Sequence, residues 1–171
     1  MQRICVIGPC GAGKSTFARA LGERLGLPGV HMDRLQWKPG WVESSREELE
    51  RQLCEVLAEP RWVIDGNYSG TMPMRFARAD TVVFLDLPRW VCRWRVIKRT
   101  VLGWRRTRWD MNRGCPERLE WEFLVYVWRF HRDARPRILE RLADLPEGVE
   151  LITLCHRQEV REFLASVGRA R

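Results

Sequence analysis

Gly8, Gly13, Lys14 and Ser15, spaced as GPCGAGKST over residues 8–16, are residue types that hold phosphate. They fit GxxxxGK[ST] without a mismatch, in a setting that reads as strand, loop, helix. Glycines let the backbone wrap closely around phosphate oxygens with its amides turned inward. The N-terminus of the following helix adds partial positive charge. Gly8, Pro9, Cys10, Gly11, Ala12, Gly13, Lys14, Ser15 and Thr16 are therefore the expected cradle for ATP. Lys14 is expected to reach the β- and γ-phosphates, and the Ser15 hydroxyl to ligate Mg²⁺.

Three aspartates, Asp33, Asp65 and Asp86, close apolar runs that read as strands. In an open α/β sheet, ligands collect beyond the carboxyl ends of the strands, so these acids are expected to share a crevice with the phosphate loop. Asp65 heads DGNYSG, where glycine gives close backbone access, and is assigned to the metal with Ser15. Asp33 and its neighbour Arg34, in DRLQWKPGW, are assigned to the acceptor substrate, with Asp33 also a candidate for proton acceptance from it. Gly66, Asn67 and Tyr68 supply amide and aromatic lining on the acceptor side. Asp86 stands before Pro88 and is read either as structural or as a second metal-binding strand end.

These residues need a scaffold that brings strand ends together. Apolar runs at 3–8, 28–33, 61–66, 80–88 and 149–155 alternate with helical patterns at 14–25, 44–59 and 157–167. That alternation predicts an α/β fold with a parallel sheet covered by helices. Two overlapping capping boxes, Ser44 to Glu47 and Ser45 to Glu48, open the second helix. Between the fourth and fifth strands lie helices predicted at 89–102, 116–131 and 133–143, with a loop over 103–115.

The chain has 171 residues, 30% of them charged, which suits one globular domain. No apolar run approaches the ~20 residues that span a bilayer, and no leader pattern precedes the first strand. A cytoplasmic protein with no membrane partner is expected. The six cysteines form no CxxC pair and read mainly as small buried thiols. Net charge is +8, and its placement is uneven. Residues 89–137 hold 14 basic against 5 acidic side chains and six of the nine tryptophans. Trp121, Val125 and Trp128 follow a helical stripe, read as buried core rather than a base-stacking platform.

The stretches HMDRLQWKPGW, DGNYSGT, ADTVVFLDLPR, DMNRGCPE and FHRDARPRILE, together with the phosphate loop, resemble the P-loop kinases of small metabolites, the adenylate kinase and shikimate kinase group. More particularly they resemble short bacterial proteins related to adenylate kinase and labelled "DNA topology modulation protein" (FlaR-type). The resemblance spans nearly the whole chain. It implies a three-layer P-loop fold with a five-stranded parallel sheet in order 2-3-1-4-5. A mobile helical lid would be inserted over about 89–137. It also implies that Arg95 and Arg99, four apart, meet the nucleotide, and that Arg105, Arg106 and Arg108 close over its phosphates. Arg157 would border the base. In adenylate kinases an arginine soon after the DG pair holds the acceptor's phosphate. Here the next arginine is Arg75, ten residues past Asp65, so the resemblance does not carry AMP over as acceptor.

The chemistry expected is transfer of the γ-phosphate of ATP, with Mg²⁺, to a small hydroxyl- or phosphate-bearing acceptor. Lys14, Asp33, Arg95 and Arg99 are the catalytic candidates, and Arg75 and Arg106 are further acceptor contacts. The alternative is a nucleotide-dependent nucleic-acid-binding protein that uses the basic segment on phosphates and its aromatics on bases. Either a monomer or a homodimer is compatible with the sequence.

Overall fold

The computed structural model describes residues 1–118 and 120–168. In chain order the elements are β1 (Arg3–Ile7), α1 (Lys14–Leu25), β2 (Gly29–His31), α2 (Met32–Gln36), β3 (Trp37–Lys38), β4 (Val42–Glu43), α3 (Arg46–Ala58) and β5 (Trp62–Asp65). They continue with α4 (Met72–Phe76), β6 (Thr81–Leu85), α5 (Arg89–Leu102), α6 (Trp121–Asp133), α7 (Arg135–Ala143), β7 (Glu150–Leu154) and α8 (Arg157–Ser166). The main sheet is parallel throughout, in the order β2-β5-β1-β6-β7. Counted along its own five strands, that is the expected 2-3-1-4-5.

Neighbouring residues of the central strands face opposite layers. Ile4 and Val6 of β1 join Phe17, Leu21, Val83 and Leu154 under α1 and α8. Cys5 and Ile7 join Leu53, Phe84, Phe130 and Ile138 under α3, α6 and α7. Every residue of β5 and β6 is buried, as a sheet covered on both faces requires. The first turn of α3 uses the second of the two capping candidates. Ser45 Oγ accepts from Glu48 N at 3.2 Å, while Ser44 Oγ donates to the Leu35 carbonyl at 2.8 Å.

Residues 89–137 differ from expectation in two ways. First, irregular chain runs on to Glu120, because Arg105 N donates to Glu117 O at 3.0 Å and Glu117 N donates to Arg106 O at 2.9 Å. Those bridges occupy the residues that would have begun α6. Second, the tryptophan stripe is not core. Trp121 is 77% and Trp128 49% exposed, and α6 buries Val127 and Phe130 instead. The helix is apolar on most of its circumference, so its period admits either face. The larger rings ended outside.

Sequence reading also passed over α2 and the β3–β4 hairpin. They are five and two residues long, too short for a period to register. The turn between the strands is fixed by Gly40 at φ 79° and Trp41 at φ 63°.

Candidate active site

The phosphate loop runs from the end of β1 to the start of α1, and its backbone demands glycine. Gly8, Gly11 and Gly13 have φ values of 144°, 84° and 96°. A Cβ on Gly8 would stand 2.5 Å from the Leu85 carbonyl, and one on Gly11 would collide with the Cys92 carbonyl. The loop is thus wedged between β6 and α5. Lys14 Nζ donates to the Gly8 and Pro9 carbonyls at 3.0 and 3.1 Å. Its ammonium lies folded across the loop that a phosphate would enter. Asn67 Oδ1 accepts from Gly8 N at 3.0 Å and ties the acceptor-side loop to the phosphate loop.

A cavity of about 1200 Å³ opens above these residues. Cys10 to Thr16 form one wall, with Asp33, Asp65, Gly66, Asn67 and Tyr68 opposite. Arg95 and Arg99 come down from α5. Arg95 Nη1 donates to the carbonyls of Ala12 at 3.0 Å and Gly11 at 3.3 Å, so the insert arginine already rests on the phosphate loop. Burial lowers the Arg95 pKa, and the nearby Arg157 adds to the effect. Arg99 is lowered by burial and then by Arg108. Its Nε lies 3.1 Å from Glu117 Oε1 but is not aimed at it, leaving a buried N–H without an acceptor.

Irregular chain over 103–118 forms the roof. It docks on the β3–β4 hairpin through Gly40 N to Gly114 O at 2.9 Å and Trp41 Nε1 to Pro116 O at 3.1 Å. Asn112 Nδ2 donates to the Arg34 and Trp37 carbonyls at 2.7 and 2.8 Å. Arg108 organises the underside. It donates twice to Asp110, lies 3.3 Å from Glu117 and sits 3.6 Å from Asp33. Burial alone would raise the Asp110 carboxyl. The Arg108 hydrogen bonds and charge outweigh it and hold the group at about 2. The Arg108 guanidinium is correspondingly pushed up by Asp110, Asp33 and Glu117 against its burial.

The strand-end acids have separate surroundings. The Asp33 side chain is 39% exposed, and its Oδ1 accepts from Tyr68 Oη at 2.7 Å. Burial raises the Tyr68 phenol strongly, and Asp33 adds to it, which keeps it a donor. Asp65 is 4% exposed and paired with His31 Nδ1. Asp86 is claimed by Arg135 through contacts of 2.6, 2.9 and 3.1 Å, which tie β6 to α7.

Three acceptor-side assignments do not fit the geometry. Arg75 is 0% exposed and gives its donors to the carbonyls of Gly66 (2.8 Å), Asn67 and Tyr68 (3.3 Å). It supports the 66–68 loop from behind, out of reach of a ligand. Arg34 is exposed and donates to the Trp109 carbonyl, helping to seat the roof. Arg106 is exposed and outside the cavity wall, because its backbone is committed to Gly103 and Glu117. Arg157, the expected base contact, is exposed at the start of α8 and is sensed by Arg95 only through its charge.

Sequence reasoning missed part of the cavity lining, to which Trp37, Trp41, Tyr126, Arg129, Arg137 and Arg141 also contribute. Arg141 reaches the Ser69 carbonyl. The arginine spacing on α7 carried a signal, since 137 and 141 are one turn apart.

The oxygen donors suit a hard cation such as Mg²⁺: the Ser15 hydroxyl and the Asp33 and Asp65 carboxylates all border the cavity. Among the described residues no group of three His, Cys, Asp or Glu side chains could hold a metal alone. An ion of this kind completes its shell with nucleotide phosphates.

No curated protein matches the chain in sequence. Among solved structures, shikimate kinase from Acinetobacter baumannii in complex with shikimate aligns at TM-score 0.58 and 17% identity, over 98% of this chain and 90% of that one. Deoxyadenosine kinase from M. mycoides with bound dATP aligns at TM-score 0.57 and 14% identity, over 95% and 97%. A gluconokinase from Sinorhizobium meliloti 1021 gives TM-score 0.54 and 19% identity, over 98% and 92%. At such identities the likeness is one of fold. A family model described as "AAA domain" matches residues 4–102, from β1 through the phosphate loop to the end of α5. The chain belongs to that AAA domain family and has the fold of the P-loop kinases.

Proposed function

We propose that the protein is an ATP-dependent phosphotransferase acting on a small hydroxyl-bearing acceptor. One observation carries the reading: Arg95 rests on the phosphate loop while Asp33 faces the same cavity. The triphosphate would enter between Lys14, the loop amides and the α5 arginines. Lys14 would leave the Gly8 and Pro9 carbonyls for phosphate oxygens. The unmatched Arg99 N–H is a donor available to the same charge. Phosphoryl transfer depends on position and electrostatics more than on covalent help, and one well-placed arginine contributes roughly 10³ or more in rate. A bound Mg²⁺ would neutralise charge on the transferring group, held by Ser15 with Asp65 or Asp33.

Asp33 is the proposed proton acceptor. As the acceptor hydroxyl oxygen bonds to the γ-phosphorus and the bond to the ADP oxygen breaks, the hydroxyl proton passes to an Asp33 oxygen. Tyr68 holds the other oxygen in place. The roof over 103–118 would keep water from competing. Arg129, Arg137 and Arg141 in the cavity lining favour an acceptor that also carries an anionic group, and Trp37, Trp41 and Tyr126 favour a flat or apolar body. These features support an adenylate kinase-like division of the cavity into donor and acceptor ends, with an acceptor other than AMP.

The test is a transfer screen with radiolabelled ATP and Mg²⁺ over nucleosides, nucleoside monophosphates, sugar acids and sugar phosphates. A labelled acceptor is expected. Lys14→Ala should abolish transfer. Asp33→Asn should lower it by about 10²–10⁴ while nucleotide binding persists. Slow hydrolysis that no candidate accelerates, or full transfer by Asp33→Asn, would refute the assignment.

A further inference from the structure

The outer face of α5 is open to solvent. Trp90, Trp94, Ile97 and Val101 fall at i, i+4, i+7 and i+11 and so share one arc of the helix. Trp90 is 71%, Trp94 62% and Val101 67% exposed. The opposite arc is occupied, with Val91, Cys92 and Val96 buried and Arg95 on the phosphate loop. Leu102 and Trp104 extend the apolar surface at its C-terminal end. At its side, the Arg93 guanidinium lies 4.6 Å over the Trp128 ring and leads to the exposed aromatics of α6.

The charge along this stretch of chain has one sign. From Arg89 to Trp109 the chain carries eight arginines and lysines and no aspartate or glutamate. Arg89, Lys98, Arg105 and Arg106 are exposed. A second copy paired across this face would set cations against cations, with no carboxylate on α5 to answer them. A nucleic-acid strand answers the charge and could stack on Trp90 and Trp94, but it leaves Ile97, Val101 and Leu102 without an apolar partner. A surface that is both apolar and anionic answers both features. Tryptophan favours the boundary between acyl chain and headgroup, aliphatic side chains enter below it, and arginine and lysine pair with acidic headgroups.

We propose that α5 lays its Trp90–Trp94–Ile97–Val101 face on anionic phospholipid bilayers. No helix among the described residues is long and apolar enough to cross a membrane. The expectation of no membrane partner came from that lack of a spanning segment, and a helix lying in the interface does not need one.

Vesicle sedimentation tests the proposal with the intact protein. It should pellet with phosphatidylcholine vesicles containing phosphatidylglycerol, pellet far less with phosphatidylcholine alone, and release as salt rises. The double variant Trp90→Ser/Trp94→Ser should bind the mixed vesicles about tenfold or more weakly, with an unchanged thermal midpoint. Lys98→Glu, which leaves the apolar face whole, should weaken binding at low salt only. Failure to pellet with mixed vesicles overturns the proposal. So does equal pelleting by the double variant, which would mean adsorption by diffuse charge alone. A double variant that loses only self-association, or only binding to a single-stranded oligonucleotide, overturns it in favour of that partner.

Discussion

The phosphate loop and the roof above it face each other across one cavity and are held by opposite means. The loop is fixed by backbone sterics: three glycines at positive φ, two of them with no room for a methyl group. The roof is irregular chain with two isolated bridges, and side-chain charge holds its underside. There Arg108 gathers Asp110, Glu117 and Asp33. Sterics of the first kind persist whatever is bound. Ion pairs of the second kind can be exchanged, because a phosphate offers an arginine the same geometry as a carboxylate. On the proposed function, a fixed cradle and an exchangeable clasp would let the site take in a nucleotide and have Arg108 trade its carboxylates for phosphate.

Gly11→Ala breaks the steric half. The new Cβ meets the Cys92 carbonyl at a φ of 84°, and strain of about 1–3 kcal/mol should weaken nucleotide binding by roughly 10- to 100-fold. Titration with a fluorescent nucleotide measures it, and unchanged affinity would show that the loop tolerates displacement. Arg108→Ala breaks the clasp. Amide exchange over 103–118 should quicken by about tenfold while residues 4–14 keep their protection. Equal loosening of both regions would erase the distinction.

Asp110→Asn makes the smallest change. The native carboxyl titrates at about 2 against an ordinary 3.8, so its charged form stabilises the fold above pH 3.8. That contribution is lost as pH falls from 3.8 toward 2. The variant should have a shallower fall in stability over that window, by no more than about 2 kcal/mol once solvent screening is allowed for. Parallel pH curves for the two proteins would show that Asp110 is not held by Arg108 in solution.

The strands and the cradle were legible because local rules decide them. β1, β5 and β6 are continuous apolar runs, and GPCGAGKST admits few backbones. The strand-end position of Asp65 followed from β5, whereas Asp33, expected at the end of a strand, lies in α2, two residues past β2. Three kinds of feature were not legible. Arg75 matches a substrate-binding arginine in type and distance from Asp65, and only tertiary burial shows that it faces the loop's carbonyls. The face of α6 was ambiguous because Trp121, Val125 and Trp128 satisfy the same period as Phe123, Val127 and Phe130. The Arg108–Asp110–Glu117–Asp33 cluster joins irregular chain to α2 across as much as 84 positions, where no period links them.

The burial of Arg75 bears on how this fold can change its diet. Its guanidinium is enclosed beneath Gly66, Asn67 and Tyr68 and is committed to their carbonyls. Lengthening or rerouting that stretch would strand a cation in the interior, a fault that costs about 3–5 kcal/mol. Descendants of this chain that take up a different acceptor are therefore expected to keep 66–68 and Arg75 together as a frozen block. Their novelty should appear at Arg129 and Arg137, which line the cavity and carry none of the 66–68 loop.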